Sequence, residues 1–222
     1  MILARCTACL LWFSLPALGQ VLPAAADTAG YVKGGYGKFT DTFYLGAFTA
    51  TDSTKIQAYL PATRNGYERA IDYFETPPGR QPHPKRYSLN IIQVHTMRVH
   101  GRYYENLFVD DESIDVLALR VLRGPVELFT YAEPQSVPVP IPVPGAGMLV
   151  GGASYINTHW YLRRQGTVLK VRRGKFAEQL SAYFADCPAL AQAVARGDEH
   201  CRFRDTPRLV AQYNQYLESL RK

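Results

Sequence analysis

The chain is poor in the residues from which recognisable sites are built. Of 222 residues only four are cysteine, five histidine, three methionine and two tryptophan. No Gly-x-Ser-x-Gly elbow occurs, since Gly152-Ala153-Ser154 lacks the glycine that would complete one. The glycines at 145, 147, 151 and 152 fit neither phosphate-binding fingerprint, and no basic P-loop residue follows them, which argues against a nucleotide site. His95 and His100 lie five apart and would point to opposite faces of one strand, so no metal set is expected and no cofactor either. The acidic run Asp110-Asp111-Glu112 with Asp115 lacks the alternation and central glycine of a calcium loop and reads as a solvated turn. A formal charge of +6 is too small and too dispersed for a nucleic-acid binder.

What is present begins at the N-terminus. One cation, Arg5, precedes an apolar stretch from Cys6 to Leu18, and small residues follow it. That order of zones predicts a cleavable secretory signal peptide over residues 1–26, cut after Gly19 or after Ala26. The stretch is too short to span a bilayer, and no later segment is apolar enough, so a mature chain without a transmembrane segment is expected. The implied location is the periplasm, the outer surface or the medium. Cleavage would remove Cys6 and Cys9, leaving Cys187 and Cys201 as an even pair in an oxidising compartment, which predicts a disulfide between them. The alternative is a reactive thiol at Cys187, which precedes Pro188 at a plausible helix start.

Residues 27–174 read as an antiparallel β body. Short runs rich in Tyr, Phe, Val, Ile and Thr are divided by Gly, Pro, Asn and Asp, beginning at Thr42–Thr49 and ending at Thr167–Arg172. Hairpins are predicted at Val99-His100-Gly101-Arg102-Tyr103, at Leu122-Arg123-Gly124-Pro125-Val126 and at Arg164-Gln165-Gly166. In the run from Val126 to Tyr131, Val, Leu and Thr share one face while Glu, Phe and Tyr share the other, so both faces are expected to be partly covered. The Pro/Gly-rich segment 134–152 places Pro138, Pro140, Pro142 and Pro144 in alternation with Val and Ile, then runs into Gly145–Gly152. It is expected to be a long surface loop. Residues 175–222 switch to helical period. Phe176, Leu180, Tyr183 and Phe184 form one stripe, Pro188 starts a second helix closed by Gly197, and Thr206-Pro207 starts a third. The fold class is therefore α+β: an antiparallel β-rich body capped by two or three short C-terminal helices.

Fifteen tyrosines supply rings that can either cover a sheet or grip a partner. Tyr103, Tyr104, His159, Trp160 and Tyr161 are the candidate contact residues. The chain resembles uncharacterised secreted proteins of Bacteroidetes-type bacteria, which join a signal peptide to a β-rich body and a helical tail. The resemblance rests on Val121-Leu122-Arg123-Gly124-Pro125-Val126-Glu127-Leu128-Phe129 and on Tyr161-Leu162-Arg163-Arg164-Gln165-Gly166. In the tail it rests on Asp186-Cys187-Pro188-Ala189-Leu190 and on Leu209-Val210-Ala211-Gln212-Tyr213-Asn214. It implies export and architecture and no activity, with a structural role for the Cys-Pro and Tyr-Asn positions. The expectation is an exported, non-catalytic envelope or surface protein that binds a protein or glycan. The alternative is a secreted hydrolase with a site assembled from scattered acids and His159.

Overall fold

The computed structural model describes residues 31–33, 42–109, 114–143 and 147–221. The expected signal peptide and the acidic run Asp110-Asp111-Glu112 lie outside these. The fold is α+β: among the described residues nine strands form one antiparallel sheet, two more pair separately, and three helices follow. The strands are β1 (Tyr31–Lys33), β2 (Thr42–Ala50), β3 (Lys55–Pro61), β4 (Ala70–Tyr73), β5 (Tyr87–Asn90), β6 (Val94–Val99), β7 (Arg102–Val109), β8 (Ile114–Leu122), β9 (Glu127–Val143), β10 (Gly147–Arg164) and β11 (Thr167–Val171). The helices are α1 (Phe176–Tyr183), α2 (Pro188–Arg196) and α3 (Thr206–Ser219). From β6 to β11 the sheet is a meander in which each strand pairs with the next in sequence. On one edge β2 takes β3, and on the other it takes β1 and β6 in succession.

Two of the predicted hairpins are as tight as hairpins can be. Val99 pairs with Arg102 and Arg164 with Thr167, leaving His100-Gly101 and Gln165-Gly166 as two-residue turns. All four turn residues have positive φ, between 49° and 85°, as a twist-matched type I′ turn requires. Such local connections explain why a sheet this wide can form from short-range pairings.

The alternation over Val126–Tyr131 separates two layers, as the sequence pattern implies. On the outer face Val126, Leu128, Leu162 and Val171 join Leu180, Phe184, Val194, Leu209 and Tyr213 of the helices in one buried cluster. Asn214 fastens α3 to the sheet, since its side chain accepts from the Val126 N–H at 2.8 Å and donates to the Val126 carbonyl at 2.8 Å. It therefore pairs with one residue as a neighbouring strand would. Gly124 must lack a side chain here, because a Cβ would stand 2.6 Å from the Asn214 amide nitrogen. A second outer cluster packs Phe48, Leu60, Val94, Met97, Tyr104 and Leu117 beneath Ile71 and Ile91 of the β4–β5 region.

The inner face carries Leu107, Val116, Ala118, Phe129, Tyr131 and Tyr161. Arg163 on β10 bonds Glu105 on β7, although three strand spacings of about 4.8 Å would separate them in a flat sheet. The sheet therefore curls, and β11 returns to within 8 Å of β7 between Cα atoms.

Two expectations are corrected. Segment 134–152 is not a loop: β9 and β10 pair continuously from Glu127↔Arg163 to Val143↔Gly147. The prolines are compatible with this because of where their missing donors fall. Ala132 sends its N–H away from β10 to the Asn65 carbonyl at 2.7 Å. Every second residue onward, including Pro134, Pro138, Pro140 and Pro142, therefore has its nitrogen on the same outward edge and removes no bond to β10. The disulfide is also absent, for Cys187 and Cys201 are free thiols. Helix α2 separates them: Cys187 is its N-cap, and the chain turns at left-handed Gly197 before reaching Cys201. Both line one pocket of about 360 Å³. Burial raises the Cys201 pKa above the ordinary thiol value, the reverse of an activated thiolate.

Candidate binding groove

A concavity of about 660 Å³ opens beside the β6–β7 turn and across β2. Antiparallel registry builds it. Arg98 stands opposite Tyr103 and also opposite Ala47, so one row crosses β2, β6 and β7 on the inner face. The turn that follows contributes His100, and β7 begins with Arg102. Gly46 allows β2 and β6 to meet this closely: a Cβ there would lie 2.6 Å from the Arg98 carbonyl oxygen.

Cations and rings dominate the lining. The guanidinium carbons of Arg98 and Arg120 lie 5.1 Å and 4.0 Å from the Tyr103 ring centre, within cation–π range. Tyr44 stacks on His100 with centroids 4.0 Å apart. Arg102 is held by a 2.9 Å bond to the Ala62 carbonyl. Among the described residues no carboxylate lines the groove.

Behind the groove stands a compensated charge lattice. Arg120 donates to Glu127 at 3.0 Å, and Arg163 joins Glu127 through its Nε at 2.8 Å. The same guanidinium forks onto Glu105, with Nη2 at 3.0 Å from Oε2. Tyr103 donates to that oxygen at 2.9 Å. The side chains of Glu105, Arg120, Glu127 and Arg163 are only 12–22% exposed. Burial by itself would raise the Glu105 pKa, yet the bonds from Arg163 and Tyr103 outweigh it and hold the carboxyl below its ordinary value. The same bond to Glu105 keeps Arg163 firmly cationic against its own desolvation. The lattice thus fixes Arg120 and Tyr103 in place while two cations balance two anions. Arg98, on an exposed position, adds a further positive charge toward solvent.

The structure divides the residues singled out from sequence. Tyr103 lines the groove. His159 lines a separate cleft of about 310 Å³ with Tyr155, Lys170 and Arg172, stacks on Tyr131 and stands 4.0 Å from Glu133. Tyr104 is fully buried and its hydroxyl is spent on the Thr63 carbonyl; burial pushes its pKa up to about 12. Tyr161 is 3% exposed within the inner cluster. Trp160 packs against the helical core on the opposite face. Tyr104, Tyr161 and Trp160 are therefore packing residues, and the five candidates do not form one site. Composition could not separate Tyr103 from Tyr104, because neighbours on a strand face opposite sides and only the sheet's curl decides which side is open. Sequence reasoning missed Arg98 and Arg102, whose signal was that they flank the His100-Gly101 turn, and Arg120, which comes from β8 and carries no such local signal.

Comparison with protein-family models, with curated proteins and with solved structures finds no match for this chain.

Proposed function

We propose that the chain is an exported, non-catalytic binding protein of the cell envelope or surface, and that the groove beside the β6–β7 turn takes an acidic glycan. One observation carries this reading: arginines and tyrosines line the groove and no carboxylate does, among the described residues. Guanidinium forks suit carboxylate groups on sugars, and phenol rings suit the sugar faces. Glu105 beside the groove is committed to Arg163 and Tyr103, which hold it ionised and so leave it no general acid near neutral pH.

Calorimetry with tetragalacturonate and with neutral maltotetraose tests the ligand class. The acidic sugar should bind, the neutral one should not, and Arg98→Glu should weaken binding at least tenfold. Equal binding of both sugars, or an Arg98→Glu variant that binds like the parent, would overturn the reading. Export is tested by fractionating the host and sequencing the N-terminus. The mature chain should begin at Gln20 or Asp27, and recovery of the intact chain from the cytosol would contradict it.

A further inference from the structure

Strands β9 and β10 are far longer than their neighbours. The partner β8 leaves β9 at Thr130, and β11 leaves β10 at Trp160. Beyond Ala132, whose N–H bonds to the Asn65 carbonyl, and beyond Thr158, the two strands pair only with each other among the described residues. The result is a two-stranded arm, residues 133–143 with 147–157, about 37 Å long at about 3.4 Å per residue. A bare two-stranded ribbon is marginal in water, so an arm of this length calls for a further partner.

The two edges of the arm differ in a way that constrains this partner. On β9 the outward nitrogens at 134, 138, 140 and 142 belong to proline, so that edge has lost most of its donors. On β10 the pairing phase turns Met148, Val150, Gly152, Ser154 and Ile156 outward, and all five keep their N–H groups. Natural proteins protect an exposed edge with charge, proline or a bulge. The β9 edge has proline, whereas β10 has neither proline nor any charged residue between Gly147 and Thr158. Its flank is apolar where it can be seen, with Ile156 60% exposed and Tyr155 50%.

We infer that the outer edge of β10 pairs with the same edge of a second copy of this chain. An antiparallel strand edge is self-complementary about a two-fold axis. The free edge from Gly147 to Asn157 is centred on Gly152, which places Met148 opposite the partner's Ile156 and Gly152 opposite its counterpart. About ten backbone hydrogen bonds then form across the axis. With no charge on either edge, nothing repels the second copy. A Cβ on Gly152 would meet nothing within 4 Å, so the face of the arm at the axis has room for a substituted side chain. The four-stranded product exposes only the two proline edges, so assembly stops at two. The same prolines disfavour a closed ring of arms, in which each β9 edge would have to supply donors to the next β10.

Sedimentation equilibrium on the full chain tests the inference. Twice the monomer mass is expected at micromolar concentration. The double substitution Val150→Pro and Ser154→Pro removes two outward donors without touching a bond to β9, and should give a monomer with an unchanged circular dichroism spectrum. Should that variant fold poorly, Gly152→Cys provides a second measurement. Mild oxidation should give a 152-to-152 crosslinked peptide by mass spectrometry, and Val137→Cys should give none. A parent chain that stays monomeric at high micromolar concentration, an assembly larger than two, or a folded proline variant that still dimerises would overturn it.

Discussion

The β9–β10 hairpin is one continuous ladder with two very different halves. Its base, Glu127–Tyr131 with His159–Arg163, is covered on the outer face by the helices and on the inner face by the curled sheet. Its arm, beyond Ala132 and Thr158, has the same backbone bonding but no flanking strand among the described residues. The difference teaches that ladder hydrogen bonds do not by themselves make a stable region. Each contributes only about 1 kcal/mol net, whereas burial of side chains decides where the molecule is firm.

Substitutions along the hairpin should expose that contrast. The largest effect is expected for Arg163→Met in the base, which leaves Glu105 and Glu127 facing each other half-buried without their shared cation. Urea denaturation should show a loss of about 3–5 kcal/mol, the usual cost of breaking a buried pair by removing one partner. Leu128→Ala, fully buried under the helices, should lose about 2–5 kcal/mol by the same measurement. Val137→Ala in the arm, at 44% exposure, should change monomer stability by less than about 0.5 kcal/mol. Equal losses at Leu128 and Val137 would break the comparison.

Acid should act on the base before the arm. Glu105 is depressed in the fold, so its stabilising contribution is complete above the unfolded glutamate pKa of about 4.3 and is lost as pH falls through the lower folded value. Thermal melts from pH 6 to pH 3 should show a decline beginning near pH 4, and Glu105→Gln should flatten it. A smaller effect still is expected from 0.5 M salt on melting temperature, because the lattice is partly buried and screening reaches it weakly.

Much of the body was legible from sequence because its signals are local. Strand runs such as Thr42–Thr49 and the turn glycines at 101 and 166 are set by neighbours in the chain, and Thr206-Pro207 opens the last helix as its composition demands. The arm was not legible, since alternating proline excludes a central strand, and although the even spacing puts all four nitrogens on one edge, nothing local shows that this edge is the outer one. The pairing phase, fixed by Ala132 and Asn65, decides that. The groove was half legible. Tyr103 was named from its ring, but Arg120, Glu127 and Arg163 meet through the register of three adjacent strands, and only the curl of the sheet brings Glu105 of β7 to Arg163.

The groove and the arm differ in expected partner, and a titration of the groove uses the arm as its internal control. Backbone amide chemical shifts of the isotopically labelled chain can be followed while tetragalacturonate is added. The largest changes should fall at Leu45–Ala47 and Arg98–Tyr103 around the groove, with the β10 edge from Met148 to Ile156 unmoved. Changes confined to the arm, or to the cleft around His159, with none at Arg98–Tyr103, would contradict the account.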